Sequence, residues 1–581
     1  MIHKRSYMNG IPRPQFSRTS FEILDGKWEF YLDYDNLGES RQFPQGFTSD
    51  LTINVPFVYT TRLSGVNLDK RCDYVWYARK LTIKDLTQDE RVILHFEGSD
   101  YHTKVWINGD LVGEDCGGYH RISFDITDFV KPGDNLLVVK VTDDFSTEKP
   151  RGKQRWKPYN YECFYVETTG IYKTVWLEYV NQYRLETVKM TPSRREENIL
   201  IEGTTSTKEK VVLGITITFE DKLVKQEVLE VSDGKFIVTL PLTEQEPLYL
   251  WDVGDGKLYD VEFTLIRDGK EVDKVYSYFG VRDIEIHDAK IYLNGKELYQ
   301  KLILDQGYWP DSHLTPPSTE ALLLDITKVM EMGFNGARKH QKVEDERYIY
   351  FADCLGFLVW LEMPSMYTYS EQAKQAFTRE WELIIKQYYN HPSIITYTPF
   401  NESWGISEIK TNKDQQQFVN DIYYLTKAYD HTRLVITNDG WEHTISDILT
   451  IHHYEQDGDK LHSYFKTIDK ATAPIYEAHP KGAFADGYQY NNQPIIISEF
   501  GGTAFVNSTV NGAWGYGVGV RDEQEFINRF RKLIEAIRTL DYVCGYCYTQ
   551  LSDVQQEVNG LFYENREEKI ASEIINKILN E

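Results

Sequence analysis

Two periodicities divide the chain. Up to about residue 182, apolar and polar side chains alternate at period two in runs such as Val92-Ile93-Leu94-His95-Phe96, Lys104-Val105-Trp106-Ile107 and Leu136-Leu137-Val138-Val139-Lys140-Val141, the spacing of half-buried strands. Asn108-Gly109-Asp110 and Pro132-Gly133-Asp134-Asn135 interrupt them as a hairpin signal and a turn signal. The pattern predicts a jelly-roll β-sandwich over 1–182. Strand-length runs continue over 183–283, with 211–217 and 236–240 the clearest. That length predicts an immunoglobulin-like β-sandwich, and the missing Cys…Trp…Cys pattern argues against one of antibody type.

After residue 284 the period changes. Leu322, Ile326, Val329 and Met330 recur at helical spacing, and the run stops at Gly333, a residue suited to ending a helix. A strand from Asn335 to Lys339 follows at once. The same reading gives eight strands, beginning near Lys301, Asn335, Leu358, Ile394, Leu434, Ile448, Ile495 and Val543. Helical stretches intervene, for example at 372–389, 415–429, 523–540 and 568–579, while the fifth connection is too short for a full helix. Eight strands over 284–581 predict a C-terminal (β/α)8 TIM barrel.

Charge narrows the partners. Lys and Arg number 64 against 89 Asp and Glu, a net of −25, which disfavours a nucleic-acid backbone or an anionic membrane and suits a small neutral ligand. Aromatic residues make up 14% of the chain, enough to serve both sandwich cores and the faces of sugars. No apolar stretch of signal-peptide length follows Met1-Ile2-His3-Lys4-Arg5-Ser6-Tyr7, so a cytoplasmic location is expected. The six scattered cysteines fit reduced thiols, and Cys544-Gly545-Tyr546-Cys547, in a strand-like run, reads as a buried inert pair.

Candidate chemistry sits at two strand ends. Glu402 closes the run from Ile394 through Asn401, and Glu499 closes Pro494-Ile495-Ile496-Ile497-Ser498. Either alone would read as a structural carboxylate paired with an arginine or lysine. Together, at the carboxyl ends of strands four and seven, they face across a barrel mouth. Two carboxylates so placed can protonate a departing glycosidic oxygen and attack the anomeric carbon from the far side. His452-His453 makes a poor chelate, because adjacent strand residues point to opposite faces.

The chain resembles a glycoside hydrolase of family two, the group of β-galactosidases, β-glucuronidases and β-mannosidases. The likeness lies in Leu24-Asp25-Gly26-Lys27-Trp28, Trp76-Tyr77-Ala78-Arg79, 169–177, Phe279-Gly280-Val281-Arg282, Asn401-Glu402 and Ile495-Ile496-Ile497-Ser498-Glu499-Phe500-Gly501. It implies that Glu402 is the acid/base, Glu499 the nucleophile, and Asn401 the partner of the sugar 2-hydroxyl. It further implies that Tyr454 stands near the nucleophile and that Arg338 keeps it ionised, with Glu362 an acidic position on strand three.

Departures from the family shape the rest. Lys339-His340-Gln341-Lys342 stands where members often read Ser-His-Tyr-Pro, which carries over His340, and strand one offers Asp305 and Trp309 as alternative sugar contacts. Tyr548-Thr549-Gln550 replaces a tryptophan platform, and Asn565-Arg566-Glu567 replaces the Asn-x-Lys motif that reads a uronic acid. Pro364 occupies the place of a metal-binding histidine. The implied function is a retaining exo-β-glycosidase without metal or cofactor, acting on a glycoside or oligosaccharide. β-Galactoside comes first, since Glu567 would repel a uronate. β-Glucuronide is second, and β-glucoside, β-mannoside and arabinopyranoside stay open. A non-catalytic carbohydrate-binding protein is the reading from another class. A homo-oligomer is common in the family.

Overall fold

A computed structural model describes residues 10–506 and 508–581; the N-terminal stretch 1–7 read above lies outside them. The first sandwich packs a six-stranded sheet against a four-stranded one, built from strands between Phe21–Ile23 and Val175–Asn181. Trp28, Tyr77, Leu94 and Val139 fill the space between the sheets. The hairpin signal is real: His102–Ile107 turns into Asp110–Cys116 through Asn108 and Gly109, both at positive φ, as a two-residue turn requires. The second sandwich pairs a three-stranded and a four-stranded sheet spanning Leu185–Ser193 to Lys270–Phe279 around Ile199, Leu213 and Phe263.

A small antiparallel meander of Ile284–His287, Lys290–Leu293 and Lys296–Glu297 comes next, an element the sequence reading did not separate from the barrel. Ile291 and Leu293 join the barrel core, and the Cys544 thiol donates to the Ala289 carbonyl. The eight predicted strands follow as Gln300–Asp305, Gly336–Lys339, Leu358–Glu362, Ile394–Thr398, Leu434–Val435, Leu449–His452, Ile495–Gly501 and Val543–Thr549. They form one parallel sheet in the order 5-4-3-2-1-8-7-6. Strands five and six close the ring through the Asp447 N–H to the Val435 carbonyl at 2.9 Å and the His452 N–H to the Gly440 carbonyl at 3.3 Å. Every residue of strands two, three, four and eight is buried, which explains the largely apolar sequence of strands three, four and eight; strand two instead buries Arg338 and Lys339, each paired with a carboxylate.

Cys544 and Cys547 lie buried in strand eight as free thiols. No helix among the described residues is long and apolar enough to cross a membrane.

Charged groups tie the first sandwich to the barrel. Arg121 pairs with Glu97 of its own sandwich at 2.7 Å and with Glu346, at the start of barrel helix Glu346–Leu355, at 2.5 Å. Burial alone would raise the pKa of Glu346; the charges of Arg121 and His391 overcome it and lower the value from 4.5 to about 2. A depressed carboxylate pKa adds stability above its unfolded value, and that stability is lost as pH falls through the folded one. Glu346→Gln is therefore expected to lower unfolding stability by about 3 kcal/mol at pH 7. In denaturant titrations the gap from the unmodified protein should narrow as pH drops from 4.5 towards about 2.

Candidate active site

The mouth of the barrel is organised around one cation. Arg338, on strand two, has a wholly buried side chain. Its Nε donates to Glu362 at 2.7 Å, Nη1 to Glu499 at 2.7 Å, and Nη2 to the Asn401 Oδ1 at 2.6 Å and to His340 at 3.1 Å. Asp439 lies 2.7 Å from Nη1. Burial would lower the Arg338 pKa, but the charges of Asp439, Glu362 and Glu499 push it well above the ordinary value.

Glu402 reaches the mouth through unusual backbone. After strand four, Phe400 and Asn401 pair in parallel with Asn438 and Asp439, and the Glu402 N–H donates to the Asp439 carbonyl at 2.9 Å. Glu402 and Ser403 then take φ of 52° and 61°, a left-handed pair that side-chain-bearing residues adopt only when surroundings hold them. Those surroundings are the Asn438 side chain, accepting from the Ser403 N–H at 2.9 Å, and Glu442, accepting from the Ser403 hydroxyl at 2.8 Å. The result aims a half-buried Glu402 at Glu499, which lies within buried strand seven.

His452 joins the two carboxylates. Its Nδ1 is 2.8 Å from Glu402, and its Nε2 is 3.2 Å from Asp439 and 3.6 Å from Glu499. Burial opposes its charge, yet Glu499, Asp439 and Glu402 raise its pKa from 6.5 to about 10. It is therefore an imidazolium at neutral pH. The same field acts in reverse on Glu499: burial would raise its pKa, and His452, Arg338, His340 and the Tyr454 hydroxyl bring it well below the glutamate range. Oxygen atoms of Glu402 and Glu499 and a nitrogen of His452 all lie within 4.8 Å of one another. Three such donors could hold a divalent ion.

Other residues named from sequence divide into two groups. Asn401, His340 and Tyr454 converge on this centre. The Tyr454 hydroxyl donates to Glu499 and lies 3.1 Å from the Thr549 hydroxyl, with its ring stacked on Tyr516. His340 Nδ1 is 2.9 Å from Glu362. The Asn401 Nδ2, though buried, has no hydrogen-bond partner among the described residues.

Asp305 and Trp309 do not converge there, correcting the expectation that they contact sugar. Asp305 opposes Lys339 in the strand register and pairs with it at 2.5 Å; alternation turns both away from the face that carries Arg338. Trp309 is 4% exposed, packed in the core with Lys342 and Arg566 over its ring. Glu567 is exposed while Arg566 turns to Asp325 at 2.9 Å, so position 567 loses its bearing on uronates.

Sequence reasoning missed His452, Asp439, Lys153 and Glu557. His452 had a readable signal: two residues before Tyr454, it shares that side chain's face. Lys153 carried none, because it arrives from a loop of the first sandwich. Its ammonium is 3.7 Å from Glu557, which follows strand eight and accepts from the Tyr165 hydroxyl and, at 3.2 Å, from Asn559.

Known proteins resemble this chain in sequence and fold. Profiles described as glycosyl hydrolases family 2, sugar binding domain; glycosyl hydrolases family 2; and glycosyl hydrolases family 2, TIM barrel domain match residues 21–179, 183–282 and 284–580. A beta-galactosidase of Thermoanaerobacter pseudethanolicus is 25% identical over 370 residues, 62% of this chain and 47% of that protein. A beta-glucuronidase of Bacteroides fragilis is 26% identical over 443 residues, 71% of this chain and 60% of that protein. The chain thus spans about half to three-fifths of the length of these curated relatives. The crystal structure of Ruminococcus gnavus beta-glucuronidase has the same fold, with a TM-score of 0.80 at 17% identity over 98% of this chain and 99% of that one. With successive profiles covering all three regions and the barrel profile alone covering more than half of the sequence, the chain belongs to glycosyl hydrolase family 2.

Proposed function

We propose that this chain is a retaining exo-β-glycosidase for a neutral terminal sugar, β-galactoside first. The observation that carries the reaction is the approach of Glu402 and Glu499 oxygens to within 4.8 Å. Retaining enzymes hold their carboxyl groups about 5–5.5 Å apart, whereas inverting enzymes leave room for a water.

Glu499, charged and held by Arg338, attacks the anomeric carbon while Glu402 gives its proton to the departing oxygen. Glu402 then removes a proton from the water that releases the sugar. The His452 ring, with Nδ1 2.8 Å from Glu402 and Nε2 3.6 Å from Glu499, stands between the two carboxyl groups that exchange these roles. The free Asn401 amide can donate to the 2-hydroxyl, a bond that strengthens as oxocarbenium character develops.

The neutral-sugar reading rests on charge. Among the described residues, the four carboxylates of Glu362, Asp439, Glu499 and Glu557 pair with Arg338, His452 and Lys153, and with His340, whose charged form burial disfavours. A uronate would add another negative charge to a site already short of cations. The rival reading, a β-glucuronidase, is favoured by the names of several relatives. A panel of nitrophenyl β-glycosides decides between them: release from galactoside and not glucuronide supports the proposal, and the reverse rejects it.

Three further outcomes are expected. Glu499→Ala should lose turnover on the order of a thousandfold or more, with azide restoring it as an inverted glycosyl azide. Glu402→Ala should slow hydrolysis about 10²–10⁴-fold for poor leaving groups and far less for activated ones. His452→Gln removes a cation that depresses Glu499, so the acid limb of the kcat/KM profile should move up by about one pH unit or more. An unmoved limb would reject the role given to His452.

A further inference from the structure

The first sandwich contributes one side chain whose chemistry is unfinished. Lys153 is 7% exposed, and its ammonium, a group with three donors, makes no hydrogen bond among the described residues. Its polar neighbour is the Glu557 carboxylate at 3.7 Å, and the Tyr165 ring centroid stands 6.0 Å away. Its pKa follows the same field: burial would lower it, and Glu557, Cys163, Glu499 and Glu402 raise it instead. The Lys153 carbonyl accepts from the Tyr165 N–H at 2.9 Å, and the adjoining Phe164 ring stands 6.1 Å from Trp404, two residues after Glu402; a mostly buried charged amine so placed, with no acceptor at bonding distance among the described residues, is costly unless a ligand supplies one.

The loop that carries Lys153 is fixed from both sides. The Arg151 N–H donates to the Ser365 carbonyl at 2.9 Å, and the Gly152 carbonyl accepts from the Tyr367 hydroxyl at 2.7 Å. On the far side the Val166 N–H donates to Gln555 at 3.1 Å, and the Gln556 amide donates to the Phe164 carbonyl at 3.0 Å. Gly152 has φ of 61°, and a methyl group there would come 2.1 Å from the Gln341 carbonyl oxygen. The loop therefore rests backbone to backbone on the barrel, and Lys153 is presented by a rigid support.

From this geometry we infer that Lys153 donates to a ring hydroxyl of the terminal sugar in the catalytic subsite, with Glu557 as its fixed counter-charge. The inference rests on the glycosidase reading and deepens it by naming a specificity-determining residue outside the barrel. Glu557 is itself held by Tyr165, Asn559 and, at 3.4 Å, Gln306, so it orients the ammonium without needing to move.

The test is calorimetric binding of the unreactive iminosugar 1-deoxygalactonojirimycin and its singly deoxygenated analogues, together with nitrophenyl galactoside hydrolysis. Lys153→Met should weaken binding of the parent iminosugar by about tenfold or more, and Lys153→Arg by less. One deoxygenated analogue should bind the Met variant and the unmodified protein equally, identifying the hydroxyl contacted. Equal binding of the parent by both proteins, or the same loss on every analogue, overturns the inference. So does a Met variant that binds the galactose mimic normally and loses only glucuronide hydrolysis. If no glycoside is turned over but the Lys153-dependent binding difference persists, the hydrolase reading falls and the subsite stands.

Discussion

The buried guanidinium of Arg338 is the constraint on which the site depends. A full charge removed from water is tolerated only when its donors find acceptors and its charge finds counter-charges. Here the partners come from the ends of strands three, four, five and seven as Glu362, Asn401, Asp439 and Glu499. Satisfying one cation therefore fixes the relative position of several strand ends. Glu499 is part of the solution to an electrostatic problem, and its ionised form is the one that the solution needs.

His452 extends that logic to Glu402. Arg338 touches Glu499 and not Glu402, so a second cation is required to bring the two acids into one field. The imidazolium does this from strand six, in contact with both and with Asp439. Two cations on neighbouring sides of one carboxylate pair give each acid a different environment, which is the condition for assigning them different proton-transfer roles.

Much of this was legible in the sequence. The barrel strands were readable because burial on both faces leaves short apolar runs, and each predicted start lies within one residue of an observed one. Glu402 and Glu499 were readable because each ends such a run. What alternation could have shown, but did not, was His452, overlooked because its neighbour His453 drew attention to chelation; His453 in fact turns away to the Glu477 carbonyl at 2.9 Å. Asp305 misled for a related reason: it ends strand one as Glu402 ends strand four, but its register places it on the outer face opposite Lys339. The meander before the barrel was merged with it because strands this short leave no long periodic signal. Lys153 was beyond reach, since nothing local to residue 153 tells which distant surface its loop will meet.

The seat of Gly152 against the Gln341 carbonyl sets a condition of its own. A chain segment pinned at residues 151–152 on one side and 164–166 on the other can exchange many of its side chains without disturbance. It cannot readily change its number of residues. One inserted or deleted position near 153 would displace the amine by about 3.3–3.6 Å, more than the length of a hydrogen bond. In this molecule, therefore, loop length is the quantity that evolution or engineering can alter least without changing what the pocket accepts.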